Sequence, residues 1–228
     1  MCFSATASWV SAASLAGAGV WALGRVTAKS QRLFACIPLL FAIQQTMEGM
    51  IWMALTRTLD GDSGRAVTYW VWGYSLFSQV VWPGYVPLAV AMMEPLGWRK
   101  TAIWGGALAG AAVSMLLLTA MLSHPLTAQI QGLHIAYRFS HAHEMGASLL
   151  YLIAVCGAPL ASSHPAVRLF GLAVLATALW SYGAYASWFI SVWCFFAALI
   201  SVLVLVHLHP KAQIAMRRWL KSGVDARA

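Results

Sequence analysis

Long apolar runs separated by short polar breaks make up most of the sequence. Seven runs approach or reach the length of about 20 residues that an α-helix needs to cross the hydrocarbon core of a bilayer. They cover residues 5–24, 33–56, 67–93, 101–122, 143–160, 165–185 and 187–209. Because the bilayer core offers the backbone no hydrogen-bond partner, each run is predicted to be helical. The pattern predicts an all-α integral membrane protein, a seven-transmembrane-helix bundle that forms one domain over residues 1–209.

Composition and charge agree with this architecture. Of the 228 residues, 61% are hydrophobic and 9% are charged, whereas a soluble domain carries about 25% charged residues. The net charge of +8 comes from short segments between the apolar runs and not from one basic face. It therefore indicates membrane topology and argues against nucleic-acid binding. The predicted partner is the lipid bilayer.

The Lys and Arg residues predict the orientation of the bundle, because cytoplasmic loops are rich in them. With the N-terminus outside, the cytoplasmic side receives Arg25, Lys29, Arg32, Arg99, Lys100, Arg168, Lys211, Arg217, Arg218, Lys221 and Arg227. The outer side receives only Arg57, Arg65 and Arg138. The C-terminus is therefore predicted in the cytoplasm. Residues 210–228 form a basic amphipathic tail, which predicts a short interfacial helix.

Two local patterns bear on helix shape and packing. The third run contains Pro83 and Pro87, which predict a kink or a break near its middle. That feature is either purely structural or an unwound segment that lines a cavity. Gly106 and Gly110 form a GxxxG pair, a spacing that favours close helix packing.

An acidic residue within the second run is the first candidate for function. Glu48 follows two glutamines, and Gln44, Glu48 and Trp52 recur every four residues, on one face of a helix. A polar stripe at this depth is costly against lipid, so we expect it to point into the bundle. Three roles remain open for Glu48: a protonated acid packed by Gln44 and Gln45, a metal ligand, or a proton-carrying carboxyl.

A second polar cluster runs from His134 to Glu144. If this segment is helical, His134, Tyr137, His141 and Glu144 share one face. Histidine and carboxylate ligands together suit zinc, copper or iron. The alternative is a wet loop whose histidines bind nothing, and the spacing is not that of an HExxH zinc motif.

These two clusters fall on the predicted outer side, and so does Cys2. A thiolate is a strong ligand for a soft metal, although an unmodified terminal cysteine is the alternative. The predicted metal ligands are Cys2, Glu48, His134, His141 and Glu144. The polar residues predicted beside them are Gln44, Gln45 and Tyr137. Their convergence requires contact between the second and fifth runs, which the sequence alone does not decide. Glu94, His207 and His209 lie at run ends and are expected at the membrane interface.

The start of the chain, MCFSA, and the segment IPLLFAIQQTMEG from Ile37 to Gly49 resemble a bacterial multi-pass membrane family of unknown function. Members of that family begin with MCFSA and carry a similar QQ-x-x-EG element. The resemblance implies a protein of the bacterial inner membrane. It draws attention to Cys2, Phe3, Ser4, Gln45 and Glu48, and it implies no particular activity.

Three functions are compatible with the sequence. The first is a metal-binding membrane protein with its Glu/His site in the outer half of the bundle, whose enzymatic form would be a metal-dependent hydrolase. The second is a small proton-coupled transporter in which Glu48 titrates. The third is a non-enzymatic subunit of a membrane complex or a homo-oligomer. The sequence does not decide whether the chain is an enzyme.

Overall fold

The fold was determined as a computed structural model, which describes residues 4–59, 65–138 and 145–209. The first part of the chain forms α1 (Ala5–Gly24), a 3-10 turn (Lys29–Gln31), α2 (Arg32–Ala35) and α3 (Ile37–Leu59). Ser4 caps α1, because its hydroxyl oxygen accepts a hydrogen bond from the backbone N–H of Ala7 at 3.2 Å. α1 packs along α3, where the Trp9 indole lies against Gly49.

The middle of the chain continues with α4 (Arg65–Ser75), a π-helical segment (Leu76–Val81), α5 (Trp82–Met93) and α6 (Trp98–Ser123). The helix that contains Pro83 and Pro87 is therefore not unwound. Its irregularity is a π turn just before Trp82, followed by a regular helix that includes Pro87. Gly97, with φ +147°, allows the sharp connection that precedes α6.

A β-hairpin follows α6 and consists of β1 (Thr127–Gln131) and β2 (His134–Arg138). The strands are antiparallel, with Gln131 opposite His134, so the turn has two residues. Its first residue, Gly132, has φ +62°, as hairpin turns of this length require. The helical arrangement that was one of the two alternatives for this cluster therefore does not hold from His134 to Arg138. The two-residue turn with its glycine and the alternating pattern of the short strands decide the structure of this segment. The helical spacing of its polar side chains does not.

The last part of the chain is again helical. It comprises α7 (Met145–Leu152), a second π-helical segment (Ile153–Gly157), α8 (Ala158–Ala161), α9 (Pro165–Tyr185), a 3-10 turn (Ala186–Trp188), α10 (Phe189–Ile200) and α11 (Leu203–Leu208). Pro165 opens α9 at a position where a helix tolerates proline, since the first N–H groups have no partner within the helix.

Four helical stretches of the described chain are long and apolar enough to cross a membrane. They are Lys29–Arg57, Ala66–Met93, Trp98–Ser123 and Pro165–Leu208, and a shorter apolar helix covers Gly146–Ala161. These stretches contain most of the predicted runs, and α1 lies outside this set. The prediction of a helical membrane protein is confirmed at this level.

The fourth stretch is not one straight rod. The indole N–H of Trp193 in α10 donates a hydrogen bond of 3.2 Å to the carbonyl of Val174 in α9. In a continuous helix two residues 19 positions apart would be separated by about 28 Å. The chain therefore reverses at the 3-10 turn Ala186–Trp188, and α9 and α10 pack side by side.

Buried apolar residues form two main clusters. The larger one joins α1, α2, α3 and α5 to α8–α11, with Phe34, Trp82 and Phe170 among its members. The smaller one, the hairpin cluster, packs the β-hairpin on α3 and α4 and includes Tyr74 and Tyr137. The single helical stretch Ala66–Met93 thus contributes to both clusters.

Gly110 explains the close packing of α5 and α6. A Cβ atom at Gly110 would collide with the backbone carbonyl of Pro83, whereas one at Gly106 would lie 3.9 Å from Ala158 Cβ. The GxxxG pair therefore serves packing within the chain.

Contacts between helix termini define two ends of the bundle. At the end we call the basic end, Phe34 packs on His207, and Arg99 donates to the carbonyl of Ala161 at 2.8 Å. At the other end, the hairpin end, the β-hairpin meets the start of α10, where Trp188 donates to Gln131 at 3.3 Å.

Candidate functional site

A buried acid in the middle of α3 is the centre of the candidate site. Glu48, Gln44 and Gln45 are all 0% exposed, so the structure buries this polar stripe as the helical spacing predicts. Gln45 lies three residues before Glu48, which places the two side chains on adjacent positions of the helix surface. The amide nitrogen of Gln45 donates to Oε2 of Glu48 at 3.3 Å.

The second oxygen of Glu48 is bound from another helix. The hydroxyl of Ser191 in α10 donates to Oε1 of Glu48 at 2.9 Å. One turn later in α10, Cys194 is buried in the hairpin cluster together with Tyr74. α10, from the last predicted run, is thus the partner helix of this stripe.

A third helix joins the site through Gln44. The indole N–H of Trp82, the first residue of α5, donates to Oε1 of Gln44 at 2.7 Å. The Trp82 ring is buried and stacks on Phe41 with ring centroids 4.0 Å apart. Gln44 therefore ties the stripe on α3 directly to the residue that follows the first π-helical segment.

Side chains satisfy two backbone carbonyls of the first π-helical segment. The hydroxyl of Tyr151 donates to the carbonyl of Ser78 at 2.7 Å, and Ser114 donates to the carbonyl of Val80 at 2.7 Å. Tyr151 lies two residues before the second π segment, which packs on α5 and α6. π turns occur frequently at functional sites, and here two of them are in one packed region beside Trp82.

The hairpin places two of the predicted polar residues over this region. Tyr137 is buried and stacks on Tyr74 with ring centroids 4.5 Å apart. His134 stacks on Trp188 at 4.8 Å, with Tyr185 at 5.5 Å on an edge. Partial burial lowers the pKa of His134 below its ordinary value. In a strand, residues three apart point to opposite faces, so His134 and Tyr137 do not share the face expected of a helix.

The predicted metal ligands are only partly described by the structure. Cys2, His141 and Glu144 lie outside the described residues. Within residues 4–59, 65–138 and 145–209, no three His, Cys, Asp or Glu side chains are grouped in a way that could hold a metal ion. The partners of Glu48 and His134 are nevertheless close in the chain, because Ser191 lies at the start of α10 and Trp188 is the residue just before this helix.

A second buried acid, which the sequence placed at the interface, lies at the basic end. Glu94 is 2% exposed, and its Oε2 accepts from the Ser162 hydroxyl at 2.7 Å. Its Oε1 accepts from the backbone N–H of Ser163, also at 2.7 Å. His207 is likewise buried and packs edge-on to His164, with ring centroids 5.0 Å apart. Glu94 and His207 are thus buried within the protein at the ends of α5 and α11, and their position at the membrane interface stays a prediction. The serine pair before His164-Pro165 was the signal in the sequence that indicated donors for an acid.

The chain matches a family of unknown function, DUF6629, over residues 1–218. This range includes the whole of the candidate site and both buried acids. No curated protein and no solved structure matches the chain. Since the match covers nearly the entire sequence, the chain belongs to the DUF6629 family.

Proposed function

We propose that the chain crosses a bacterial inner membrane seven times, with its N-terminus outside and its C-terminal tail along the cytoplasmic surface. The distribution of Lys and Arg supports this orientation, because Arg25 and Lys29 follow α1 and Arg99 and Lys100 lie in the first turn of α6. Such residues concentrate on the cytoplasmic side of membranes. Single-cysteine labelling from outside, in a background without native cysteines, tests the orientation: a label at Leu133 and none at Thr27 is expected.

We further propose that the protein is a proton-coupled carrier in which Glu48 binds and releases the proton. One observation carries this proposal. The Glu48 carboxyl is fully buried within an apolar helix, and its two oxygens accept hydrogen bonds from neutral donors on two helices, α3 and α10. Ionisable groups within membrane-spanning helices are costly, and they typically mark proton relays and ion pathways.

The hydrogen bonds around Glu48 couple its protonation to the packing of the neighbouring helices. Ser191 on α10 and Gln45 on α3 donate to the carboxyl, and Gln44, one turn before Glu48, is bonded to Trp82 of α5. A change of charge at Glu48 therefore acts on the hydrogen bond that joins α3 to α10, beside the bond that joins α3 to α5. The adjacent π turns are the positions where the backbone ladder is already irregular.

Infrared difference spectroscopy on the purified protein in lipid tests the proton site directly. A carbonyl band of a protonated carboxylic acid is expected in the wild type, to change with pH, and to be lost in Glu48→Gln. Glu94→Gln is the matched control, because Glu94 is equally buried but is bonded to the connection after α8. A pH-dependent band that survives in Glu48→Gln would reject Glu48 as the proton site.

Proton uptake into proteoliposomes tests the transport step. An imposed pH gradient should drive proton uptake by vesicles that contain the wild type. Glu48→Gln should abolish this proton uptake, whereas Glu94→Gln should retain it. Equal uptake by wild type and Glu48→Gln would contradict a proton-coupled carrier with Glu48 as its centre.

Metal binding is the second candidate, and one observation favours it. Glu48 is bonded to Ser191 at the start of α10, and His134 stacks on Trp188, three residues earlier and just before that helix. Zinc, copper or iron held by Glu48 and His134, together with Cys2, His141 and Glu144, would activate a bound water for hydrolysis. Elemental analysis of the purified protein should then find stoichiometric metal, which His134→Asn should reduce. A folded protein without metal would reject this candidate.

A further inference from the structure

A cavity at the hairpin end lies apart from Glu48 and is lined by different residues. Its volume is about 380 Å³, and its walls are the start of α1, the last turns of α3 and the turn of the β-hairpin. Trp52, Met53, Thr56, Arg57 and Leu133 contribute to its lining. Small-molecule sites have volumes of roughly 300–1,000 Å³, so this cavity can enclose a small chemical group or part of a larger molecule.

The polar groups of the cavity favour an anion. Arg57 is the charged residue among the described lining residues, and no acid is among them. The hydroxyl of Thr56 already donates to the carbonyl of Trp52 at 2.8 Å. The oxygen of Ser4 accepts the N–H of Ala7, which leaves its O–H available as a donor. A guanidinium and a hydroxyl donor recognise a carboxylate or a phosphate.

The rest of the cavity is apolar and faces outward. Met53 is 39% exposed and Leu133 is 64% exposed, and both line the cavity. A free inorganic anion gains nothing from these side chains, whereas an anion that carries an acyl chain buries apolar surface against them. The lining therefore fits an amphiphile better than a free ion.

The position of Arg57 in the chain indicates where that amphiphile comes from. Arg57 lies in the last turn of α3, in a helical stretch that is long and apolar enough to cross a membrane. Basic side chains at the ends of membrane helices lie at the level of the lipid headgroups. We propose that this cavity binds the headgroup of an anionic membrane lipid, with its phosphate or carboxylate on Arg57 and the start of its acyl chain against Met53 and Leu133.

Binding of short-chain phosphatidylglycerol to the full-length protein in neutral detergent tests this proposal, with native mass spectrometry as the readout. The wild type should bind this lipid and should bind short-chain phosphatidylcholine much more weakly. Loss of a charge-assisted hydrogen bond should make Arg57→Gln bind about tenfold more weakly, whereas Arg57→Lys keeps most of the affinity. Arg138→Gln is the matched control, since Arg138 is an exposed arginine of the hairpin that is not part of the lining.

A second variant repels the anion without removing its ligand. Leu133→Asp places an acid at the opening, at an exposed position that tolerates substitution, and it should abolish binding of phosphatidylglycerol. Equal binding of the two lipids, or unchanged binding in Arg57→Gln and Leu133→Asp, would overturn the proposal. So would full competition by inorganic phosphate, because the site would then take a free anion. Glu48→Gln should leave lipid binding unchanged, so this proposal and the proposed carrier function can fail separately.

Discussion

Ser191 in α10 donates a hydrogen bond of 2.9 Å to Glu48 in α3, although the two residues are 143 positions apart in the sequence. This bond joins the last helical hairpin of the chain to the helix that carries the polar stripe. It also means that the Glu48 carboxyl is held from two sides, since Gln45 binds its other oxygen. Disturbing either donor should therefore be measurable as a loss of stability.

Replacement of Ser191 by alanine should destabilise the fold, because the buried carboxyl of Glu48 loses the hydrogen bond that this hydroxyl donates. The expected cost is about 1–3 kcal/mol in the free energy of unfolding, measured by denaturant unfolding in detergent. Ser201→Ala is the control. Ser201 is equally buried, but its hydroxyl bonds only to Ala198, three residues earlier. An equal loss in both variants would show that the bond to Glu48 has no special weight.

Replacement of Gly110 by alanine should disrupt the contact between α5 and α6. The new Cβ would collide with the Pro83 carbonyl, a backbone atom that cannot rotate away. Overpacking of this kind costs about 1–3 kcal/mol or more, and thermal unfolding should show a clear decrease in Tm. Gly105→Ala is the control on the same helix, where a Cβ meets nothing within 4 Å.

The control should behave in the opposite direction. Alanine is favoured over glycine inside a helix by about 0.5–1 kcal/mol, so Gly105→Ala should be neutral or slightly stabilising. If Gly110→Ala were as stable as Gly105→Ala, the close approach of α6 to Pro83 would be incorrect.

Replacement of Ser162 by alanine should weaken the basic end of the bundle. Its hydroxyl donates to Glu94 and accepts from the N–H of His164, so two buried groups lose a partner. We expect a cost of about 1–3 kcal/mol in the free energy of unfolding. Ser163→Ala should cost little, because Ser163 binds Glu94 through its backbone N–H, which the substitution retains. The reverse order would contradict the assigned donors.

His134 should make stability depend on pH. Burial lowers its pKa in the folded state from the ordinary 6.5, so the unfolded chain takes up the proton first as the pH falls. The folded state is then penalised below about pH 6.5, while above that value both states are neutral and no penalty remains. The difference in Tm between wild type and His134→Gln should therefore change between pH 7.5 and pH 5.5.

The expected change has a definite sign. The Tm of the wild type should fall more on acidification than that of His134→Gln, which carries no titrating ring. His124→Gln, at an exposed position before the hairpin, serves as the control for loss of a histidine in general. Parallel curves for wild type and His134→Gln would mean that the stacking on Trp188 does not depend on the charge of the ring.

The sequence predicted the helices where an apolar run is long, and it predicted the burial of Glu48 from spacing on one helix face. Both depend on local periodicity, which needs no knowledge of neighbours. The hairpin was missed because its strands are five residues each, and their polar side chains also fit a helical spacing. Short elements are decided by turn geometry and by what they pack against, as Gly132 and the Tyr74–Tyr137 stack illustrate.

Partners far apart in the sequence could not be predicted. Nothing in the local pattern pairs Ser191 with Glu48, or Trp82 with Gln44, because these bonds exist only once three helices are packed. Glu94 is another acid whose hydrogen-bond donors come from a distant part of the chain. A position beside Pro95 at the end of an apolar run is typical of the interface, and only the connection before α9 folds over it and supplies two donors.

The π segment Leu76–Val81 rotates the second half of the helical stretch Ala66–Met93 relative to the first half. Successive residues of an α-helix are rotated by about 100° around the helix axis, and a π turn contains an additional residue. The side chains on the two halves of Ala66–Met93 therefore point in different directions. Val71 and Tyr74 face the hairpin cluster, whereas Trp82 and Val86 face the larger core. Deletion of a single residue between 76 and 81 would convert the π turn into a regular α-helical turn. One of the two buried faces would then point toward lipid.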